Sequence, residues 1–268
     1  MWWMRRPLST YSFSRITTFE QCPRRFRYRY IDGVREAFQG IEAFMGRQVH
    51  ATIEWMFEQR EGGHLPSAAE AIEHYCRVWD DALSSGEEEV RVVKQDRSAD
   101  LYRRSGAAML EQFHRRRFLP DRLETIANEH HFRVRVGGRH DFQGFIDRLA
   151  RGDDGIVRVI DYKTGSRTPR TFSGKEADQL RAYALALFLD TEERQLELVL
   201  DFLRSGKVLR QRIDRADAQE VERELAERID AVEESTVFPP KPGNLCAWCG
   251  YNDICDAWQP RVGRAGVA

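Results

Sequence analysis

Between Gly144 and Lys163 the sequence GFIDRLARGDDGIVRVIDYK has to double back on itself. Apolar and polar residues alternate on both sides of a Gly- and Asp-rich RGDDG turn, which is the pattern of two short strands joined by a hairpin. Period two then sorts the side chains of the second strand: Val157, Val159, Asp161 and Lys163 take one face, and Arg158, Ile160 and Tyr162 the other. One face therefore presents a carboxylate and, two residues on, an ammonium. Together with Asp147 from the first strand, Asp161 can hold a hard divalent cation, and Lys163 can position water or offset charge on a phosphate. Taken alone, the same triplet also describes a strand end with a solvated ion pair.

The 268 residues are enough for one full hydrophobic core. The order of elements reads as a single α/β domain over 1–268 with a helical insertion or lid over 41–122 and a cysteine-bearing segment over 236–260. Formal net charge is −1, so any surface for a polyanion has to be a local patch. There is no run of about 18 apolar residues of the kind a membrane span needs. The opening MWWMRRPLSTYSFS lacks the apolar centre of a secretory leader. The expected compartment is the cytoplasm, where grouped cysteines are metal ligands more often than disulfides.

From Ser12 to Tyr30, capping residues and spaced aromatics predict helix, with a break or restart at Pro23. Arg24, Arg25, Arg27 and Arg29 alternate there with Phe26, Tyr28 and Tyr30. Such a run can bind phosphates and stack bases, which makes Arg24 and Arg25 candidate nucleic-acid contacts, or it can be the wet side of a helix whose aromatics are core. Ile41 to Arg60 predicts an amphipathic helix with Gly46, His50, Ile53 and Phe57 on one stripe. His50 on that stripe is either a satisfied core residue or a third metal ligand. Further helices are expected over Ala68–Leu83 and Ala99–Phe118, with Cys76 a small apolar residue of the first.

Leu123 to Val136 contains the strict alternation HFRVRV, followed by a Gly137-Gly138 turn. Glu129 lies just before that alternation and reads better as structural than as a further carboxylate of the site. Lys175 to Leu189 predicts a helix with Gln179 and Tyr183 on one edge, placed to touch a DNA backbone or to orient Lys163. Strands over Leu196–Leu203 and Val208–Ile213 and a charged helix over Ala216–Ser235 follow.

Cys246, Cys249 and Cys255 form the array C-x2-C-x5-C. Three close thiolates need a fourth ligand, for which Cys22 in its Cys-Pro setting is the candidate and Cys76 the competitor. One distant cysteine plus a triplet favours a 4Fe-4S iron-sulfur cluster; zinc, which commonly takes two near pairs, is the alternative.

With these residues in place, the chain resembles the RecB-like branch of the PD-(D/E)XK nuclease superfamily, and within it the exonucleases that carry a four-cysteine iron-sulfur cluster. It is similar to CRISPR-adaptation nucleases and to AddAB-type nuclease domains. GRQVH ending at His50 looks like the family's helical histidine, GFID ending at Asp147 like its first acidic strand, and DYKTG from Asp161 like its second acidic strand with the lysine. QLRAY from Gln179 looks like the helix that follows, and Cys22, Cys246, Cys249 and Cys255 match the cluster ligands.

The resemblance implies a restriction-endonuclease-like mixed sheet flanked by helices, with an N-terminal helical region and a C-terminal cluster segment. It implies Mg²⁺ or Mn²⁺ held by His50, Asp147, Asp161 and the backbone carbonyl of Tyr162, with Lys163 catalytic and Gln179 and Tyr183 placing the substrate. The implied activity is DNA exonuclease, preferring single strands, or the same chemistry trimming CRISPR prespacers beside an integrase. A non-catalytic DNA-binding or assembly module on the same scaffold is the reading from another class. No GxxxxGK[ST] phosphate loop occurs in the sequence, so unwinding falls to a helicase partner or to a substrate that is already single-stranded.

Overall fold

A computed structural model describes residues 10–258 of the chain. Residues 1–9 of the opening segment and the last two residues of the 236–260 segment lie outside the described residues.

Helix α1 (Phe13–Gln21) begins where the Ser12 hydroxyl accepts the Arg15 N–H. Cys22 is extended, and Pro23 restarts the chain as the first residue of α2 (Pro23–Phe26), which runs on into a π-helical turn over Arg27–Ile31. A two-residue strand β1 (Gln39–Gly40) leads into α3 (Ile41–Glu61). Helix α4 (Ala68–Ser84) opens on a reciprocal Ser67/Glu70 capping box. Strand β2 (Val90–Arg91) pairs with β1, and α5 (Ala99–Phe113) ends in a second π-turn, His114–Phe118. Then come β3 (Glu124–Val136), β4 (His140–Arg151), β5 (Val157–Lys163), α6 (Lys175–Asp190), β6 (Gln195–Phe202), β7 (Lys207–Asp214) and α7 (Ala218–Glu233). Among the described residues no helix is long and apolar enough to cross a membrane.

The five strands β3 to β7 form one sheet in sequence order. Every pairing is antiparallel except β5 with β6, whose parallel register requires the crossover that α6 supplies. The sheet is a mixed one, covered on both faces. On one face Ile16, Leu180, Ala184, Leu225 and Ile229 from α1, α6 and α7 pack on Val157, Val159, Leu198 and Leu200. On the other, Val49, Ile53, Phe57, Tyr75, Leu110 and Phe113 from α3, α4 and α5 pack on Ile160, Tyr162 and Val199. The alternation expected for β5 is therefore the alternation found.

Strand β4 does not keep one phase. Phe142 and Ile146 belong to the core beneath α6, yet two residues past Ile146 the Arg148 guanidinium lies 3.7 Å over the Phe57 ring on the opposite face. Arg148 is 1% exposed and is held by Asp121 at 2.7 Å and by the Thr125 hydroxyl at 2.9 Å, so its charge is paired where it is buried. The change of face falls at Asp147. Directly across, Glu129 of β3 has a φ of 44°, the single positive value for a residue other than glycine among the described residues. A local irregularity in both strands thus re-aims the two carboxylates.

Gly144 sets how closely α6 approaches this sheet. A Cβ there would sit 2.7 Å from the Phe132 ring and 2.9 Å from the Tyr183 ring, closer than carbon atoms pack. Gly144→Ala is therefore expected to lower unfolding free energy by about 1–3 kcal/mol through overpacking, measured by urea denaturation.

Candidate active site

Strands β4 and β5 pair only from Arg148↔Ile160 to Arg151↔Val157 and then part. Asp147 and Asp161 are the first residues beyond that last pair, so the fork between the strands is lined by carboxylates. The N–H of Tyr162 donates to Asp147 Oδ2 at 2.8 Å, giving the backbone the acceptor it lacks at the fork. Asp161 stays in register with Leu200 of β6, which fixes its position from the other side.

Helix α3 brings His50 to the fork, with Nδ1 3.4 Å from Asp147 Oδ2. Glu129 joins them: one ligand atom each from His50, Glu129 and Asp147 lies within 4.8 Å of the others. Lys163 Nζ is 2.7 Å from Asp161 Oδ2 and 2.9 Å from Oδ1, and its hydrogen-bond geometry is met at Oδ1. It also donates to Gln179 Oε1 at 3.1 Å, and Gln179 Nε2 donates to Tyr183 Oη at 2.8 Å. The sequence-predicted set His50, Asp147, Asp161, Lys163, Gln179 and Tyr183 is thus brought together. Glu129, set aside as structural from the sequence, stands among them.

Charge is concentrated here with little water to screen it. Burial and then the neighbouring Asp147 push the Glu129 carboxyl up to about 6. Asp161 is also pushed up to about 6, by burial that the adjacent Lys163 ammonium only partly offsets. Burial disfavours ionised Asp147 too, but His50 and the Tyr162 N–H hold it below the usual carboxylate range. For His50, burial pulls downward and Asp147 outweighs it, raising the imidazole to about 9. Lys163 likewise ends above its ordinary value, because Asp161 overcomes the burial cost.

These residues fit a divalent cation. His50, Glu129 and Asp147 bring ligand atoms within 4.8 Å of one another, and beside them the buried Asp161 Oδ2 makes no hydrogen bond, its charge facing Lys163 Nζ at 2.7 Å. The donor set of three carboxylates and an imidazole suits Mg²⁺ or Mn²⁺, the nitrogen making Mn²⁺ more competitive. A cation entering would expel protons from His50 and the raised carboxyls, so its affinity rises with pH.

Arg24 and Arg25 lie elsewhere. Arg24 donates to the Phe238 carbonyl and pairs with Asp256, and Arg25 pairs with Glu36. Both line a shallow recess together with Cys22, Cys246, Cys249 and Cys255. Cys76 lies in α4, packed against the core formed by α3 to α5. Two groups of three side chains among the described residues bring ligand atoms within 4.8 Å of one another, and neither contains a cysteine.

Comparison with known proteins bears on this arrangement directly. No curated protein matches the chain. Among solved structures, the crystal structure of SSO0001 is 20% identical, with a TM-score of 0.39 over 94% of this chain and 88% of that one. The model of the PD-(D/E)XK nuclease superfamily matches residues 10–256, a span that contains the imidazole, the acids, the lysine and all the cysteines. With that match over nearly its whole length, the chain belongs to the PD-(D/E)XK nuclease superfamily.

Proposed function

We propose that the protein is a divalent-metal-dependent DNA exonuclease of the RecB-like type, acting on single strands. The observation that carries this reading is the convergence of His50, Glu129 and Asp147 ligand atoms within 4.8 Å at a strand fork, beside the buried Asp161–Lys163 pair. In this reading His50, Asp147, Asp161 and the Tyr162 carbonyl hold Mg²⁺ or Mn²⁺. When bound, the cation polarises the phosphate and lowers the pKa of the attacking water.

The protein's own groups do the rest. An ammonium has three N–H donors, and Asp161 and Gln179 take two of those on Lys163, so one remains for water or a phosphoryl oxygen. Gln179 fixes the direction of that third donor, and Tyr183 fixes Gln179. Because Tyr183 accepts from Gln179, its own proton is free to meet a phosphate oxygen. No GxxxxGK[ST] phosphate loop occurs in the sequence, so any unwinding falls to a partner, and none is needed on a strand that is already single. A left-handed backbone at Glu129, beside the acids and the imidazole, is a strained position of the kind that clusters at active sites, which favours the catalytic reading over a bare scaffold.

The same proposal assigns a 4Fe-4S cluster to Cys22, Cys246, Cys249 and Cys255. Its support is that all four line one recess, where backbone N–H groups of Lys241 and Gly243 already donate to Cys22 and Cys246 sulfur at 3.5 and 3.3 Å. A single zinc ion would draw four sulfurs to about 3.8 Å of one another, given Zn–S bonds near 2.3 Å. The ligand pattern of one distant cysteine plus a triplet is what favours the multi-iron group over zinc in this reading.

Digestion of end-labelled single and double strands with Mg²⁺ or Mn²⁺, with Asp161→Ala as the control, tests the activity. Product from the wild type alone is the expected result, and equal product from both would remove Asp161 from the chemistry. Lys163→Ala should lower the hydrolysis rate about 10²- to 10³-fold while oligonucleotide affinity, read by fluorescence anisotropy in EDTA, changes by less than about threefold. Cys249→Ala should lose iron and the broad absorbance of the cluster together, with a lower thermal midpoint.

Glu129→Gln has a pH signature. With its carboxyl raised from an ordinary 4.5 to about 6, the folded state holds a proton that the unfolded chain has released within that window. Stability is therefore lost as pH rises from 4.5 to 6, and the full deficit persists above. In EDTA the amide should stabilise the protein by about 1 kcal/mol at pH 8, after allowance for solvent screening, and by nothing at acid pH below the window. Denaturant titrations at the two pH values read this directly.

A further inference from the structure

On the face of the β3–β4 hairpin that carries Glu129 and Asp147, the next residue pair outward is His131 and Phe145. Their rings lie against one another, centroids 4.7 Å apart and planes inclined by 36°. Phe145 is 54% exposed, and His131 is exposed beside it. A cross-strand ring pair stabilises a sheet less than burying the phenyl group would. The alternate residues Phe132, Phe142 and Ile146 point into the core, so the hairpin had a buried face available and placed this ring on the other.

The row continues in step. Beyond His131 and Phe145 come the cross-strand pairs Arg133 with Gln143 and Arg135 with Asp141. The guanidinium side chains of Arg133 and Arg135 are 56% and 64% exposed, and they share the single carboxylate of Asp141. One excess positive charge therefore sits at the outer end of the row. Each pair is displaced from the last by two residues, about 6.8 Å along the strand, a step comparable to the backbone repeat of an extended single strand. Carboxylates, rings and cations thus follow one another along one ribbon at nucleotide intervals.

We propose that His131 and Phe145 form a base-stacking platform for single-stranded nucleic acid, holding the nucleobase next to the phosphodiester at the fork, with Arg133 and Arg135 holding the backbone beyond it. This rests on the nuclease reading above and adds to it the residues that choose an unpaired base over a paired one. A base within a duplex has both faces occupied by its neighbours, so a flat exposed ring beside the cleavage site favours a strand whose bases are free. The chemistry is tolerant of sequence, because every base offers a π-face.

The test uses the full chain in EDTA and a short fluorescein-labelled oligothymidylate, read by anisotropy, beside the same sugar-phosphate chain made without bases. Phe145→Ala should weaken binding of the oligothymidylate roughly 5- to 100-fold, the range that corresponds to one base–aromatic stack. Phe145→Trp should restore it, and the base-free chain should bind wild type and Phe145→Ala alike. An unchanged thermal midpoint is expected of Phe145→Ala, since the ring supports no core. If wild type binds and cleaves while Phe145→Ala binds within about twofold of it, the platform is overturned and the nuclease reading stands. An equal loss on the base-free chain would also overturn it, because the contact would not be stacking. Wild type that neither binds nor cleaves any oligonucleotide would overturn both.

Discussion

The fork between β4 and β5 is the constraint from which the site follows. Two strands that stop pairing leave backbone donors without acceptors, and in a covered sheet such donors need a substitute. Asp147 provides it by accepting the Tyr162 N–H at 2.8 Å. The carboxylate is thereby pinned to the neighbouring strand at the point where Asp161, the residue before Tyr162, faces the same opening. Asp161 cannot drift, because β5 remains paired with β6 through Lys163. The separation of the two acids is a property of the sheet, and the irregularity that turns β4 from the Ile146 face to the Arg148 face is what directs Asp147 into the gap.

A second consequence is electrostatic. Three carboxylates in a half-buried fork repel, and the protein answers with one ammonium and one imidazole. Lys163 is held by Asp161 and Gln179, and His50 leans on Asp147. Burial, only partly offset, pushes Glu129 and Asp161 up to about 6, and Asp147 raises His50 to about 9. The lysine's aim depends in turn on Gln179 and Tyr183, and Tyr183 reaches them only because Gly144 has no side chain to keep α6 away. The glycine of GFID and the tyrosine of QLRAY are one contact, far apart in the chain.

Much of this was legible beforehand, for a physical reason in each case. Period two in VRVIDYK placed Asp161 and Lys163 on a face with Val157 and Val159, and that face is where they are. His50 sat on the stripe of α3 that turns to the sheet. Glu129 was missed because its backbone is left-handed, and no alternation predicts a residue that breaks phase; strict alternation resumes only at His131. The run from Arg24 to Tyr30 left two readings open, and the contacts found match the wet side of a helix whose aromatics are core. Alternating cations and rings have no common face in a helix, and the segment is helical: Phe26 is buried, Tyr30 packs on it, and Arg24 and Arg25 turn to Asp256 and Glu36. The π-turns closing α2 and α5 have no single-sequence mark.

The cysteine recess and the acidic fork are mechanically linked through one residue. The tail is anchored to the first helices by contacts that involve no sulfur: Phe238 stacks on Phe26, Arg228 forks onto Glu20, and Lys241 donates to the Glu20 carbonyl. Bringing those segments together over so long a loop has a closure cost that grows only slowly with length, so aromatic packing and ion pairs are able to offset it. Within that held tail, Trp248 Nε1, between Cys246 and Cys249, donates to Glu42 Oε2 at 3.2 Å, while Tyr102 of α5 donates to Glu42 Oε1 at 2.8 Å. Glu42 is in the first turn of α3, about two turns ahead of His50 on the same rigid helix. Whatever fixes the geometry of the cysteine loop therefore fixes the start of the helix that carries the imidazole. Disorder introduced at the recess should reach the fork as a displacement of His50 relative to Asp147, while the pairing of β5 with β4 and β6 holds the two acids in place.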